Sequence, residues 1–361
     1  MQKYKLCLIT ASLKSGGAER VMSELANFWA EQGHEIHLVI LSSHPDFYKI
    51  SDKIIVHRLG FKNINKIQRL FSEFTTLFRL RKLLKKENPD SVLVFQTKYN
   101  VLTILAALLT KIPVFVSDRN NPKLKAPFFL RLMRKIFYPL ATGIVAQTGE
   151  AKNFLVSAVK CKNVAVIPNP IKKMNLSETN KEKIILNIGR LVWEKGQKHL
   201  INAFAKINDS DWELVILGDG PLMNDLQKQV TTLNLQDRVI LNGTTLDVDS
   251  WLSKASVFAF SSVSEGFPNA LAESMCAGLP CVSFDCDSGP RDLIKNNKNG
   301  FLIPVGDENL FTEKLQELIN NADLRNMFVY EAKKLNEELK IEVIAEKYLD
   351  FITQNQNEDK K

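Results

Sequence analysis

Two loops carry the charges and glycines that a polyanionic, polyhydroxylated ligand requires. Gly189-Arg190-Leu191-Val192-Trp193-Glu194-Lys195-Gly196 sets an arginine and a lysine five positions apart between glycines. A planar guanidinium fork and a compact ammonium suit the two halves of a diphosphate. Either charge alone would read as a solvated basic loop; the glycine-bracketed pair following an apolar run points to phosphate. The second loop is Ser264-Glu265-Gly266-Phe267-Pro268-Asn269-Ala270-Leu271-Ala272-Glu273. Gly266 and Pro268 shape its entry into a helix, which leaves N–H groups around 267–270, Pro268 excepted, for a phosphate or hydroxyl. Glu265 and Glu273 can accept from the vicinal hydroxyls of a sugar or ribose. The alternative is that Glu265 favours the helix dipole and Glu273 lies on the surface.

Weaker signals accompany these. Ser15-Gly16-Gly17-Ala18-Glu19-Arg20 lets backbone approach a ligand closely at a helix start, or is an ordinary tight turn. Gly218-Asp219-Gly220-Pro221 is a further strand-to-helix turn. Neither a G-x-G-x-x-G fingerprint nor a P-loop occurs. Asp285-Cys286-Asp287 offers two carboxylates, too few to hold a divalent ion, and reads as a loop; no metal and no cofactor are expected. Asp118-Arg119 ends an apolar run. There Asp118 either takes a proton from an acceptor or pairs with Arg119.

The elements that must position these residues are short apolar runs alternating with helical periods. The first half reads as strands at Leu6–Thr10, Ile36–Leu41, Ile54–Leu59, Val92–Phe95, Val114–Ser117, Ile144–Ala146 and Val164–Ile167. Helices are expected from Ala18, over 64–86 and near 99–110. The second half restarts with Ile184–Gly189, Leu214–Gly218, Val239–Leu241, Val257–Phe260, Pro280–Phe284 and Gly300–Ile303. Nearly continuous apolar strands between helices are parallel strands buried on both faces. Ile167-Pro168-Asn169-Pro170 can continue neither element and marks a hinge. The fold class is therefore α/β, with two doubly wound, Rossmann-like domains facing across a cleft: 1–168 and 169–340. Residues 341–352 read as a further helix and 353–361 as a polar, frayed tail.

Charge is unevenly distributed. Residues 1–170 hold 26 Lys and Arg against 11 Asp and Glu, whereas 171–361 hold 22 against 29. The basic half calls for an anionic partner. Residues 64–86 place Lys66 and Arg69 beside an apolar face. Residues 127–140 set Phe128, Phe129, Leu132, Met133, Ile136 and Phe137 against Arg131, Arg134 and Lys135. Such helices suit an anionic bilayer surface, or else bury that face in the core. No apolar run approaches a membrane span, no export signal is seen, and five cysteines without a CxxC pair fit a reducing compartment, so the expected location is the cytoplasmic face of the membrane. No nucleic-acid module is recognisable, and nucleic acid is not an expected partner.

Taken together, Gly16-Gly17-x-Glu19-Arg20, Gly189-Arg190…Lys195-Gly196 and Glu265-x7-Glu273 resemble the family-4 retaining glycosyltransferases of the GT-B fold, in order, from Lys5 to about Leu349. The resemblance implies a metal-independent enzyme taking a nucleotide-sugar donor, with UDP-hexose or UDP-N-acetylhexosamine expected. Arg190 and Lys195 would bind the diphosphate, Glu265 with Gly266, Phe267, Pro268 and Asn269 the transferred sugar and its phosphate, and Glu273 the ribose. Gly16, Gly17, Gly189 and Gly218 would line the donor. The helix near 341–352 would cross back onto the first domain. Many members carry an acceptor-side histidine where this chain has Asp118-Arg119, so Asp118 is the expected base and Arg119 an acceptor contact. The pattern is similar to bacterial enzymes that extend lipid-linked oligosaccharides; a soluble acceptor, or nucleotide-sugar binding without catalysis, are the competing readings.

Overall fold

The computed structural model describes residues 2–14, 16–60, 66–119 and 127–358, with the side chains of 66–73 and 355–358 excepted. They fall into two compact units, Met1–Pro170 with Ile341–Lys361, and Ile171–Lys340.

The first unit runs β1 (Lys5–Thr10), α1 (Gly17–Glu31), β2 (Glu35–Ile40), β3 (Ile55–Arg58), α2 (Lys66–Glu87), β4 (Ser91–Phe95), α3 (Thr97–Ala107), β5 (Val114–Ser117), α4 (Phe128–Phe137), β6 (Gly143–Ala146), α5 (Gly149–Ser157) and β7 (Val164–Val166). Its seven strands are parallel in the order β3-β2-β1-β4-β5-β6-β7. The central strands β4, β5 and β6 are buried throughout, which their unbroken apolar sequences require. Helix α1 buries Val21, Met22, Leu25, Ala26 and Trp29, the face set by its helical period.

The second unit comprises β8 (Ile184–Ile188), α6 (Gln197–Phe204), β9 (Glu213–Leu217), α7 (Met223–Thr232), β10 (Val239–Gly243), α8 (Val248–Lys254), β11 (Val257–Phe260), α9 (Asn269–Cys276), β12 (Cys281–Phe284), α10 (Pro290–Leu293), β13 (Phe301–Ile303), α11 (Glu308–Asn320) and α12 (Ala322–Glu338). Six parallel strands lie in the order β10-β9-β8-β11-β12-β13. Leu214, Ile216, Val257 and Ala259 from the strands pack with Leu200, Phe204, Phe311 and Phe328 from the helices. In each sheet the strand order reverses beside the unit's first strand, between β1 and β4 and between β8 and β11. The crevice outside the carboxyl ends at such a reversal is where open α/β sheets bind ligands.

The last helix, α13 (Ile341–Glu358), belongs to the first unit. It packs on α1 and β4, buries Ile344, Ala345, Tyr348 and Ile352, and its Ala345 carbonyl accepts from Trp29 Nε1 at 3.3 Å. It also runs into the expected frayed tail, 353–361, as far as Glu358, and residues 359–361 lie outside the described residues. Thr353 is buried and donates to the Leu349 carbonyl at 2.8 Å, and the helix continues to Glu358. All five cysteines are free and buried. Burial pushes the Cys7, Cys276 and Cys286 thiols up to about 12, so they are inert packing groups.

The Tyr348 hydroxyl accepts from the Arg119 guanidinium at 2.9 Å inside this packing. Tyr348→Phe removes a hydrogen bond to a buried charge and should destabilise the first unit by about 1.5–3 kcal/mol. A fall in the urea midpoint at unchanged m-value is the expected result.

Candidate active site

In the second unit, three strand ends are drawn together by backbone. After β8, Gly189 N donates to the Leu217 carbonyl at 2.9 Å, and Leu191 N to that of Asp219 at 2.9 Å. Gly218 (φ 143°) lies against the Gly189 carbonyl so closely that a Cβ would collide with it. The loop then makes a 3-10 turn over Trp193–Lys195 and passes through Gly196, whose φ of 61° and contact with the Ser261 carbonyl exclude a side chain. Val263 N donates to the Glu194 carbonyl at 2.8 Å, and Ser261 Oγ to that of Lys195 at 2.9 Å. The loop after β8 is thereby fastened to the loop after β11, across the reversal of strand order.

That fastening brings two of the expected residues into contact. Lys195 Nζ stands 2.6 Å from Glu265 Oε1, and Glu265 is 9% exposed. The pair is a charge-assisted hydrogen bond. Arg190 is exposed on the same loop and makes no ion pair among the described residues. Below Glu265, the Gly266 carbonyl accepts from Ser288 Oγ at 3.1 Å, while Gly289 (φ 101°) packs too tightly on Pro268 to carry a Cβ. Pro268 precedes α9, whose start has no side-chain cap. Asn269 N departs from the expectation, since it donates to the Phe267 carbonyl at 3.0 Å. Glu273 is half-buried on α9, two turns from Glu265. Asp285, half of the Asp-x-Asp sequence, makes two bonds to Arg291, at 3.0 and 2.8 Å.

In the first unit, Gly16 precedes α1 and Gly17 opens it. The buried Glu19 carboxylate folds back so closely on Gly16 that a Cβ there would displace it, and its Oε1 accepts from Gln96 Nε2 at 3.0 Å. A cavity of about 590 Å³ opens beside this pair, lined also by Ser12, Lys14, Ser42, His44, Lys98 and Tyr99. The sequence reading passed over most of these residues. Apart from Glu19, all stand within four positions of the carboxyl ends of β1, β2 or β4, a signal available from the strand pattern. Gln96, a non-glycine residue at φ 77°, is backbone strain of the sort that gathers at sites.

Three acceptor-side residues have partners inside the first unit. Asp118 Oδ1 accepts from Thr97 Oγ1 at 2.6 Å, Tyr138 at 2.5 Å and Asn100 at 3.4 Å, and the enclosed Oδ2 faces Arg134 at 3.6 Å. Oδ1 is engaged and Oδ2 enclosed, so the carboxylate is held inside the unit, and it is not paired with Arg119. Burial, then the Asp118 charge, push the Tyr138 phenol well up, which keeps it a donor. Arg119 is turned inward, bonded to Asn169 Oδ1 and Tyr348 with its guanidinium 3.5 Å above the Phe95 ring, and is no acceptor contact here. Arg134, expected on an outer basic face, is likewise held by Asp118 and by the Phe154 ring at 4.8 Å. Arg131 and Lys135 are exposed as expected, and beside them Phe128 is 77% and Phe129 69% exposed. The side chains of Lys66 and Arg69 lie outside the described residues.

The glycine contacts make a prediction. Gly218→Ala must move the Gly189 carbonyl and hold alanine at a positive φ, costing about 1–3 kcal/mol. Gly243→Ala, at φ 72° with open space around it, should cost only the conformational part, about 1–2 kcal/mol. Urea denaturation of the two variants side by side should rank Gly218→Ala as the less stable.

Comparison with known proteins places this geometry. Residues 15–173 match the family model Glycosyltransferase Family 4, and residues 169–335 match Glycosyl transferases group 1. An alpha-1,4-N-acetyl-D-galactosaminyltransferase of Campylobacter jejuni, named for a PP-undecaprenol-linked glycan, is 29% identical, covering 98% of this chain and 99% of its own. A second from the same species, a 4-alpha-N-acetylgalactosaminyltransferase named for a diphospho-undecaprenol-linked sugar, is 30% identical, covering 96% of this chain and 99% of its own. The Anabaena protein HepE, solved in complex with UDP, superposes with a TM-score of 0.79 at 17% identity, covering 97% of this chain and 100% of its own. With both halves matched and relatives aligned along nearly its whole length, the chain belongs to the family-4 glycosyltransferases of the GT-B fold.

Proposed function

We propose that the protein transfers a hexose or N-acetylhexosamine, with retention of configuration, from a UDP-sugar to a polyprenyl-diphosphate-linked glycan in bacterial glycan assembly. The observation that carries this reading is the Lys195–Glu265 pair at the reversal of the second sheet, with Arg190 on the same loop. A nucleoside diphosphate would draw Lys195 and Arg190 to its phosphate oxygens. Glu265 would be released to the hydroxyls of the transferred sugar, the α9 entry would take a phosphate, and Glu273 would take the ribose. UDP is the nucleotide bound by HepE, and the lipid diphosphate appears in the names of both Campylobacter relatives.

The reaction breaks the bond from the sugar's anomeric carbon to the diphosphate oxygen, whose electron pair leaves with the nucleotide. Two fixed cations stabilise that charge as it develops and do so without a metal. With Asp118 enclosed, the acceptor hydroxyl attacks on the side from which the nucleotide departs, and its proton passes to the leaving oxygen. From an alpha-linked donor the product is alpha-linked, the linkage in both relatives' names.

Among the described residues no helix is long and apolar enough to cross a membrane. For contact with a lipid-borne acceptor we assign α4, where Phe128, Phe129, Leu132 and Ile136 are exposed beside Arg131 and Lys135. The arrangement fits an anionic membrane surface at the cytoplasmic face.

Two measurements test these assignments. Lys195→Ala should lower turnover about 10²–10³-fold, the usual loss for one charge-stabilising group, in an assay pairing labelled UDP-sugars with polyprenyl-diphosphate glycans. Unchanged turnover would remove the donor site. Arg131→Ala with Lys135→Ala should weaken sedimentation with phosphatidylglycerol vesicles about 30-fold, from about 1 kcal/mol per basic residue. UDP binding should be unaffected, and equal sedimentation would remove α4 from the membrane contact.

A further inference from the structure

Helix α3 separates two concavities of opposite character on the first unit. On one side is the polar cavity at the ends of β1, β2 and β4, with the buried Glu19 carboxylate bonded to Gln96. The Ser12 and Ser42 hydroxyls nearby are buried with no hydrogen-bond partner among the described residues. The polar lining of the cavity, with Lys14, His44, Gln96 and Lys98 among it, suits the hydroxyls of a sugar. On the other side is an apolar groove of about 320 Å³ between α2, α3 and α4, lined by Phe74, Leu77, Val101, Leu102, Phe129 and Met133 among others. Lys98, on the first turn of α3, lines both.

A polar cavity and a hydrocarbon slot that share one ammonium match a single amphipathic molecule. We propose that the two concavities are one acceptor site, with the terminal sugar at Glu19 and Gln96, the linking diphosphate at Lys98, and the adjoining isoprenoid units in the α2–α3–α4 groove. This rests on the reading of the acceptor as lipid-linked and adds where each part of it lies. The polyprenyl chain is the occupant, rather than a bulk acyl chain, because the groove meets a cation that also borders the sugar cavity. Phe74 and Phe129, both largely exposed, form the groove's outer walls. An apolar chain lying between them would remove both rings from water.

The test is photolabelling of the full chain with a diazirine analogue of farnesyl diphosphate in detergent, followed by peptide mapping. Labels should fall within Val101–Leu105 and Phe129–Met133. Lys98→Ala and Phe129→Glu should each reduce labelling at least fivefold. Phe129 is a surface residue, and a urea midpoint and m-value unchanged from the parent would show the variants folded. Labels elsewhere, or labelling insensitive to both variants, would overturn the proposal while leaving the donor site intact. A diazirine phosphatidylglycerol that marks the same peptides and is not displaced by farnesyl diphosphate would make the groove a bilayer contact and also overturn it. Equal kcat/KM for a water-soluble glycan and its lipid-linked form would remove the underlying reading and this proposal with it.

Discussion

The contact between Lys195 and Glu265 depends on backbone held tight at several strand ends. Gly218 lets the β9 turn sit on the β8 loop, Gly196 lets that loop press against Ser261, and Gly289 lets the β12 loop support Pro268. A side chain at any of these positions would collide with the neighbouring loop and push it away from the arrangement that holds ammonium and carboxylate 2.6 Å apart. The pair also solves an electrostatic problem. A carboxylate as enclosed as Glu265 is costly without a cation beside it, and Lys195 supplies that cation while no ligand is bound. An arriving diphosphate must compete for the ammonium, and the released carboxylate then needs the hydroxyl donors that a sugar brings. Ligands offering only one of the two chemistries leave one partner uncompensated.

The first unit uses its polar groups differently. Asp118 and Arg119, adjacent in sequence, serve two separate networks. Asp118 ties β5 to α3, α4 and Tyr138 through four groups, and Arg119 ties it to Asn169 and Tyr348. Neither reaches outward. The groups that line open space here are instead Glu19, Gln96 and Lys98, beside the reversal between β1 and β4. Both units thus place their enclosed glutamate at the same topological point.

Much of this was legible in the residues because burial on both faces leaves an unmistakable trace. Val114–Ser117 and Val257–Phe260 are strands at the limits their apolar runs dictate, and Gly196 and Gly218 announce turns where no side chain fits. The Lys195–Glu265 contact was readable as two halves of one site, though not as an ion pair. What could not be read was the direction of charged side chains on loops. Asp118 is fixed by Tyr138, and Arg119 by Tyr348, 229 positions away. No local pattern encodes such distant partners. Polar helix ends hide as well: α13 continues through Gln-Asn-Gln-Asn because Ile352 and Thr353, just before, are already anchored.

The docking of α13 bears on how the protein is made. A ribosome releases residues 1–170 first, yet that stretch lacks the segment that covers Trp29 and meets Arg119 and Phe115. The intervening unit, Ile171–Lys340, is contiguous and can close its core while still tethered to the exit tunnel. Until residues 341–358 have emerged, the amino-terminal sheet waits with apolar surface bare. The part translated earliest is finished last.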